Sequence, residues 1–182
     1  QAETRESRLP LALLLTRSSG RARLGFTNVD AVALNTPTIF VDADACPVKE
    51  EIYRVARRTG CPVHVVTHSF MRVPPDVTLT LVDAGPDVAD DWIAERVQPG
   101  DIVITNDIPL AGRTLKAGGA ALGATGKAFT EGSIGAALAQ RQIMEHLRSM
   151  GDVVGGPKPF SQADRSRFLS ALDAAVTKAK RR

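Results

Sequence analysis

The chain has 182 residues, 43% of them hydrophobic, and a formal net charge of +3. This length and composition predict one globular domain with a substantial core, and no apolar run reaches the roughly 18 residues that a membrane-spanning helix needs. The two cysteines are too few for a disulfide framework, which favours a cytoplasmic protein. The small positive charge allows a polyanionic partner but does not require one.

Residues 1–36 differ from the rest of the sequence. They are rich in arginine, start with Gln1 and lack a sustained helical or strand period. The run "LPLALLL" is similar to a short signal-peptide core, but no clean small-residue cleavage site follows it. We therefore predict an N-terminal extension over residues 1–36, either poorly structured or artefactual, and a single domain over residues 37–182.

From Thr38 onward, short apolar runs alternate with longer helical patterns, which predicts a parallel sheet covered by helices. The predicted elements, in chain order, are a strand at 38–42, a helix at 46–60, strands at 62–68 and 77–83, a helix at 86–97, a strand at 101–105, a helix at 108–118, a short strand at 120–124, and helices at 133–150 and 162–180. The predicted fold class is a three-layer α/β/α sandwich with a mainly parallel central sheet.

Several residues mark helix boundaries in this pattern. Pro47 and Pro86 suit first helical turns, and Gly60 suits a helix C-terminus. Ser161 and Asp164 have the spacing of a capping box, which predicts the start of the last helix.

Aspartates follow three of the predicted strands, and more open the second helix. Because ligands of open parallel sheets bind beyond the carboxyl ends of the strands, these acids are expected to share one crevice. Clustered carboxylates repel one another unless a cation neutralises them, and their hard oxygens suit Mg2+ or Mn2+. The predicted metal ligands are Asp42, Asp44, Asp87, Asp90, Asp91 and Asp107, and Asp83 ends the third strand.

Each of these acids also has a purely structural interpretation. Asp42 and Asp44 can be turn formers or helix caps, and acids in a first helical turn complement the helix dipole. Thr105 and Asn106 can cap a helix, or they can present polar groups to phosphate. Cys46 lies beside two acids that disfavour a thiolate, so a nucleophilic role is not predicted.

Three segments together resemble a known family. They are "VDADACPVKEEIYRVA", "AGPDVADDWIAERVQPGDIVITNDIPLA" and "GGPKPFSQADRSRFLSALD", and they resemble the YaiI/YqxD family of uncharacterised bacterial proteins, which has a PIN-like domain related to NYN domains. The resemblance implies a PIN-like fold and a metal-dependent nuclease. Its acids would correspond to Asp42, to the group Asp87, Asp90 and Asp91, and to Asp107 within "TND".

The function predicted from these patterns is phosphodiester hydrolysis, with RNA favoured over DNA by family analogy. Asp42, Asp44 and Asp107 are the predicted catalytic residues, and Mg2+ or Mn2+ is the predicted cofactor. The predicted partner is single-stranded RNA. Its contacts would come from Thr105, Asn106, Lys158, Arg165 and Arg167.

Two alternatives remain open at this point. The first is a phosphatase of the haloacid dehalogenase type, because Asp42-x-Asp44 at the end of a first strand matches that family's nucleophile and acid, although the late Gly-Asp-x-x-x-Asp motif is missing. The second is a non-catalytic protein that binds nucleic acid or nucleotide.

Overall fold

The computed structural model describes residues 36–43, 46–149 and 160–182, with only the backbone described at 141, 142 and 144–149. These residues form five strands and five helices. The strands are β1 (Ile39–Asp42), β2 (Val63–Thr67), β3 (Thr78–Leu81), β4 (Ile102–Ile104) and β5 (Ala120–Leu122). The helices are α1 (Lys49–Thr59), α2 (Val88–Ala94), α3 (Ile108–Lys116), α4 (Glu131–Ser149) and α5 (Gln162–Lys180).

The strands form one parallel sheet in the order β3-β2-β1-β4-β5. The first strand lies at the centre, where Val41 is in register with Val65 of β2 and with Ile104 of β4. Strands covered on both faces are expected to be continuously apolar, as "IFV" and "IVI" are. All described strand pairs are parallel, so the predicted α/β sandwich is confirmed.

Alternate side chains of β1 enter two separate cores, because successive residues of a strand point to opposite faces. Ile39 and Val41 join a cluster that includes Ile52 of α1 and Phe168 of α5. On the other face, Phe40 packs in a second cluster with residues of α2 and α3, namely Ile93 and Leu110. The sheet is thus the middle of three layers.

Several boundaries follow from local chemistry that the sequence reveals. Gly60 ends α1 with a left-handed φ of 69°, and Ser161 and Asp164 form the predicted capping box of α5. The predicted helix 86–97 is shorter than expected. It begins only at Val88, because Asp87 has a φ of 61°, which a right-handed helix excludes. Among the described helices, none is long and apolar enough to cross a membrane.

Candidate functional site

Asp42 and Asp107 meet at the carboxyl edge of the sheet through the hydroxyl group of Thr105. That hydroxyl donates a hydrogen bond of 2.8 Å to Asp42 Oδ2 and accepts one of 2.9 Å from the backbone N–H of Asp107. Asp107 Oδ1 in turn accepts from the backbone N–H of Leu110 at 2.7 Å and so caps α3. Adjacent pairing of β1 and β4 therefore places both predicted catalytic aspartates on one edge.

Asp90 brings a third carboxyl group to the same place from the first turn of α2. Its pKa is raised to about 6, chiefly by burial and then by the nearby charges of Asp107, Asp42 and Asp87, while Arg113 lowers it. Like charges that lower one another's ionisation must lie close together. The carboxyl edge therefore gathers several negative charges, and the charges of Asp107, Asp42 and Asp87 oppose the ionisation of Asp90.

The other two acids of the α2 segment have different surroundings. Asp91 forms an ion pair with Arg113 of α3, with Oδ1 and Nη1 separated by 2.6 Å. Asp87 precedes the helix and is exposed, yet its charge still contributes to the raised pKa of Asp90. Of the predicted metal ligands in this segment, Asp90 has the most direct relation to Asp42 and Asp107. Asp44 lies outside the described residues.

Asn106 connects this edge to the loop after β5. Its side-chain Oδ1 accepts a hydrogen bond of 3.2 Å from the backbone N–H of Ala124. The same loop turns at Gly126, which has a φ of 81°, and a Cβ atom there would come within 2.9 Å of the backbone of Arg167. Asn106 thus has a structural role in addition to any substrate contact, because it fixes a loop that supports α5.

The predicted basic residues of α5 differ in their ion-pair partners. Arg165 forms an ion pair with Glu51 of α1 at 2.9 Å, whereas Arg167 pairs with Asp164, three residues earlier on its own helix. Lys49 lies near the acids and donates a hydrogen bond of 3.3 Å to the carbonyl oxygen of Ala43. Lys158 lies outside the described residues.

Cys46 borders the acidic edge as a buried free thiol. Burial is the largest cause that raises its pKa; Asp42 and Glu51 raise it too, while a backbone hydrogen bond at Val48 and the charge of Lys49 lower it. The neutral thiol is therefore the favoured form at neutral pH, as the sequence analysis expects. Cys46, Asp42 and Thr105 line a cavity of ≈ 10 Å³, which is about the space that one water molecule needs.

Glu51 is a residue that the sequence analysis overlooks. It is only 7% exposed, although it belongs to a helix segment, "KEE", that has the polar character of a surface. A signal was present, because the apolar residues Val48, Ile52 and Val55, all buried in the structure, lie three, one and four residues from it. That spacing puts Glu51 on the apolar face of α1.

The larger cavities lie elsewhere. One of ≈ 680 Å³ is at the amino edge of the sheet, beside Thr38, Trp92 and Asp101, and one of ≈ 500 Å³ flanks β5. Within the described part of the chain, no three His, Cys, Asp or Glu side chains are arranged to hold a metal ion. The acidic edge is therefore an open surface whose charge favours a cation, and the described residues alone do not complete a coordination shell.

The fold and this edge define a class: an α/β/α protein with a five-stranded parallel sheet and aspartates gathered beyond the carboxyl ends of its strands. Comparison with known sequences identifies the family. The sequence profile described as "Uncharacterized BCR, YaiI/YqxD family" matches residues 40–178. The chain belongs to the YaiI/YqxD family, as its motifs predict.

Similar proteins occur in several bacteria. The chain is 64% identical over 145 residues to a "UPF0178 protein" of Caulobacter sp. strain K31, which covers 79% of this chain and 96% of that protein. It is 63% identical over 146 residues to a "UPF0178 protein" of Caulobacter vibrioides strain NA1000 / CB15N, covering 79% and 95%. A "UPF0178 protein" of Rhodopseudomonas palustris strain BisB18 is 58% identical over 149 residues, covering 80% and 96%. No solved structure matches the chain.

Proposed function

We propose that the protein is a metal-dependent nuclease, PIN-like in its chemistry, that cleaves single-stranded RNA in the cytoplasm. The observation that carries this proposal is the gathering of Asp42, Asp90 and Asp107 at one edge, where burial, and then the charges of Asp107 and Asp42, raise the pKa of Asp90 to about 6. Carboxyl groups that oppose one another's charge are stabilised by a bound cation, and oxygen ligands suit Mg2+ or Mn2+. The chemistry that a bound ion would supply is the activation of water and the stabilisation of the leaving oxygen.

The chain's own residues have defined tasks in this proposal. Asp42, Asp90 and Asp107 supply the negative charge that holds the cation, together with Asp44. Thr105 fixes the orientation of Asp42 through its 2.8 Å hydrogen bond. The N-terminus of α3, which Asp107 caps, adds a positive helix dipole beside the acids.

The shape of the site favours a polymer over a small substrate. Small ligands are usually enclosed in pockets of about 300–1,000 Å³, and the cavity that Asp42 lines measures ≈ 10 Å³. A polynucleotide needs no enclosure, because it can lie across an open edge. This argues against the phosphatase alternative, in which Asp42 would attack a small phosphomonoester.

A non-catalytic binding protein is the second candidate, and one observation favours it. The described residues contain no ready set of three metal-binding side chains. In this alternative the acids would remain metal-free, and RNA would be held by the basic residues of α5.

The test combines cleavage with metal binding. We expect Mn2+-dependent cleavage of single-stranded RNA that EDTA abolishes, and a loss of at least about 100-fold in Asp42→Asn and Asp107→Asn, since even indirect partners of a metal contribute 10- to 100-fold. Asp83→Asn is the matched control, because Asp83 is an exposed acid that follows the edge strand β3, which β2 separates from β1. Mn2+ binding, followed by paramagnetic resonance, should weaken in the first two variants and not in the control.

The outcomes separate the candidates. Acid-stable phosphoryl label on Asp42, or hydrolysis of a small phosphomonoester with RNA intact, would establish the phosphatase and overturn the nuclease. RNA binding without cleavage at any Mn2+ concentration would support the non-catalytic binding protein and overturn the nuclease.

A further inference from the structure

Glu51 is a buried carboxyl group with an incomplete set of partners. Its Oε1 accepts a hydrogen bond of 2.9 Å from Arg165 Nη1, while its Oε2 is buried and has no hydrogen-bond partner among the residues that the structure describes. An acid in an apolar core is unfavourable unless it is fully paired. Packing alone therefore does not explain why a glutamate is buried at this position. Its ion pair with Arg165 suggests that Glu51 serves to position that arginine.

Arg165 is anchored by one end of its guanidinium group. The Nη1 atom donates both to Glu51 and, at 3.1 Å, to the carbonyl oxygen of Pro47. The side chain remains 36% exposed, and within the described ranges neither Nε nor Nη2 makes a hydrogen bond. An arginine fixed in this way presents two preoriented donors, which is the geometry that binds two oxygens of one phosphate group.

Arg167 is a contrasting residue on the same helix. It is 69% exposed, and its guanidinium group bonds to Asp164 and to the carbonyl oxygen of Ala163, both of them on or beside the same helical turn. Such local pairs on a helix surface contribute little and fix nothing beyond the helix. The two arginines have the same charge and differ in what holds them.

The anchored arginine lies beside the acidic edge. The Pro47 carbonyl that it contacts directly follows Cys46, and Cys46 lines the small cavity with Asp42 and Thr105. The Cys46 thiol also experiences the charges of both Asp42 and Glu51. Cys46 thus lies between the Arg165–Glu51 ion pair and the aspartates of the carboxyl edge.

We infer that Arg165 and Glu51 form a phosphate subsite, in which Arg165 binds a phosphodiester group of the RNA next to the scissile one and Glu51 is its positioning residue. This inference rests on the polyanion binding of the proposed function. Because Glu51 balances the charge of Arg165, the subsite acts through geometry more than through long-range attraction. Arg167 has no part in it.

Charge-conserving variants of the full chain test the inference. Binding of a fluorescein-labelled single-stranded RNA is followed by anisotropy in EDTA, so that no cleavage occurs, over a range of salt concentrations. Arg165→Lys keeps the charge and loses the paired donors, so we expect affinity to fall about tenfold with an unchanged salt slope. Arg167→Lys, the matched control, should stay within about twofold, because its bonds hold no ligand.

Glu51 is tested by a double-mutant cycle. Glu51→Gln should weaken binding in the same direction as Arg165→Lys, and the double variant should be no weaker than Arg165→Lys alone, because both changes remove one interaction. If Glu51→Gln does not fold, the comparison of the two lysine variants decides.

Equal effects of Arg165→Lys and Arg167→Lys, or no effect of either, would overturn the inference. It would survive if the protein bound RNA in this residue-specific way but did not cleave it, and only the nuclease proposal would then fail. Absence of RNA binding by the unmodified chain at low salt, both in EDTA and with Mn2+, would refute both.

Discussion

The two edges of the sheet use aspartate in opposite ways. At the amino edge, Asp101 accepts a hydrogen bond from the backbone N–H of Thr38 at 2.8 Å with one oxygen and from that of Gln98 at 2.9 Å with the other. At the carboxyl edge, Asp90 faces the like charges of Asp107, Asp42 and Asp87. An aspartate at the edge of this sheet is therefore structural when backbone donors surround it, and a candidate for cation binding when other carboxyl groups do.

The largest effect on stability should come from the amino edge. Asp101→Ala removes two hydrogen bonds to a charged acceptor and leaves two N–H groups without it, so we expect the free energy of unfolding to fall by about 2–3 kcal/mol. Urea unfolding measures this change. Asp83→Ala, an exposed acid at the other edge, should change it by no more than about 0.5 kcal/mol. Equal losses in the two variants would refute the contrast.

Asp107 both caps a helix and is a candidate ligand for a cation, and two substitutions separate these roles. Asp107→Ala removes the cap of α3 and should lower the free energy of unfolding by about 1–2 kcal/mol. Asp107→Asn keeps a capping oxygen, so its stability should stay near that of the unmodified chain while Mn2+ binding weakens. A large loss of stability in the Asn variant would show that the charge itself holds the fold.

Asp90→Asn should raise the free energy of unfolding, and the size of this gain should depend on pH. The pKa of Asp90 is about 6 in the folded chain and about 4 in the unfolded chain, so the folded state binds the extra proton between these values. Ionisation therefore costs stability as the pH rises from 4 to 6, and the full cost is present above pH 6. Asp90 is only half-buried, so solvent screening limits the gain from Asp90→Asn to about 1 kcal/mol at pH 8.

The control for this prediction is the same measurement near pH 4, where the gain should vanish because the carboxyl group is neutral in the folded chain. Thermal unfolding at both values of pH measures the difference. A variant that is less stable than the unmodified chain at pH 8 would contradict the repulsion at the carboxyl edge. Saturating Mn2+ should cancel the gain if a cation binds there.

The smallest effect should come from Asp91, which lies one residue further along the chain. Its ion pair with Arg113 is exposed on both sides, so a double-mutant cycle of Asp91→Asn and Arg113→Gln should give a coupling energy of about 0.5 kcal/mol or less. Urea unfolding of the four proteins measures it. A coupling above about 1 kcal/mol would contradict the expectation that this exposed ion pair contributes little.

Much of the architecture is local in origin and could be predicted. The apolar runs of β1 and β4 indicate strands covered on both faces. Ser161 and Asp164, which are only three residues apart in the chain, form the capping box that marks the start of α5. The shared edge of Asp42 and Asp107 also follows from sequence, because parallel strands end at the same side.

The distinctions within the site could not be predicted in the same way. Asp90 and Asp91 are adjacent in sequence and differ only in which way α2 turns them, toward other acids or toward Arg113. The pair of Glu51 and Arg165 joins residues 114 positions apart, so only the packing of α5 against α1 brings them together. Long-range contacts of this kind depend on the completed fold.

Helix α5 has a consequence for how the protein is made. Its residues Phe168, Leu172 and Val176, at most 1% exposed, cover the face of the sheet that carries Ile39 and Val41. Every described strand leaves the ribosome before this helix does, so the nascent chain carries a partly open hydrophobic face until α5 has been made. Incomplete chains with open faces of this kind aggregate or are recognised by chaperones. Translation that stops before α5 should therefore yield an insoluble fragment, even though each aspartate of the carboxyl edge has already been made.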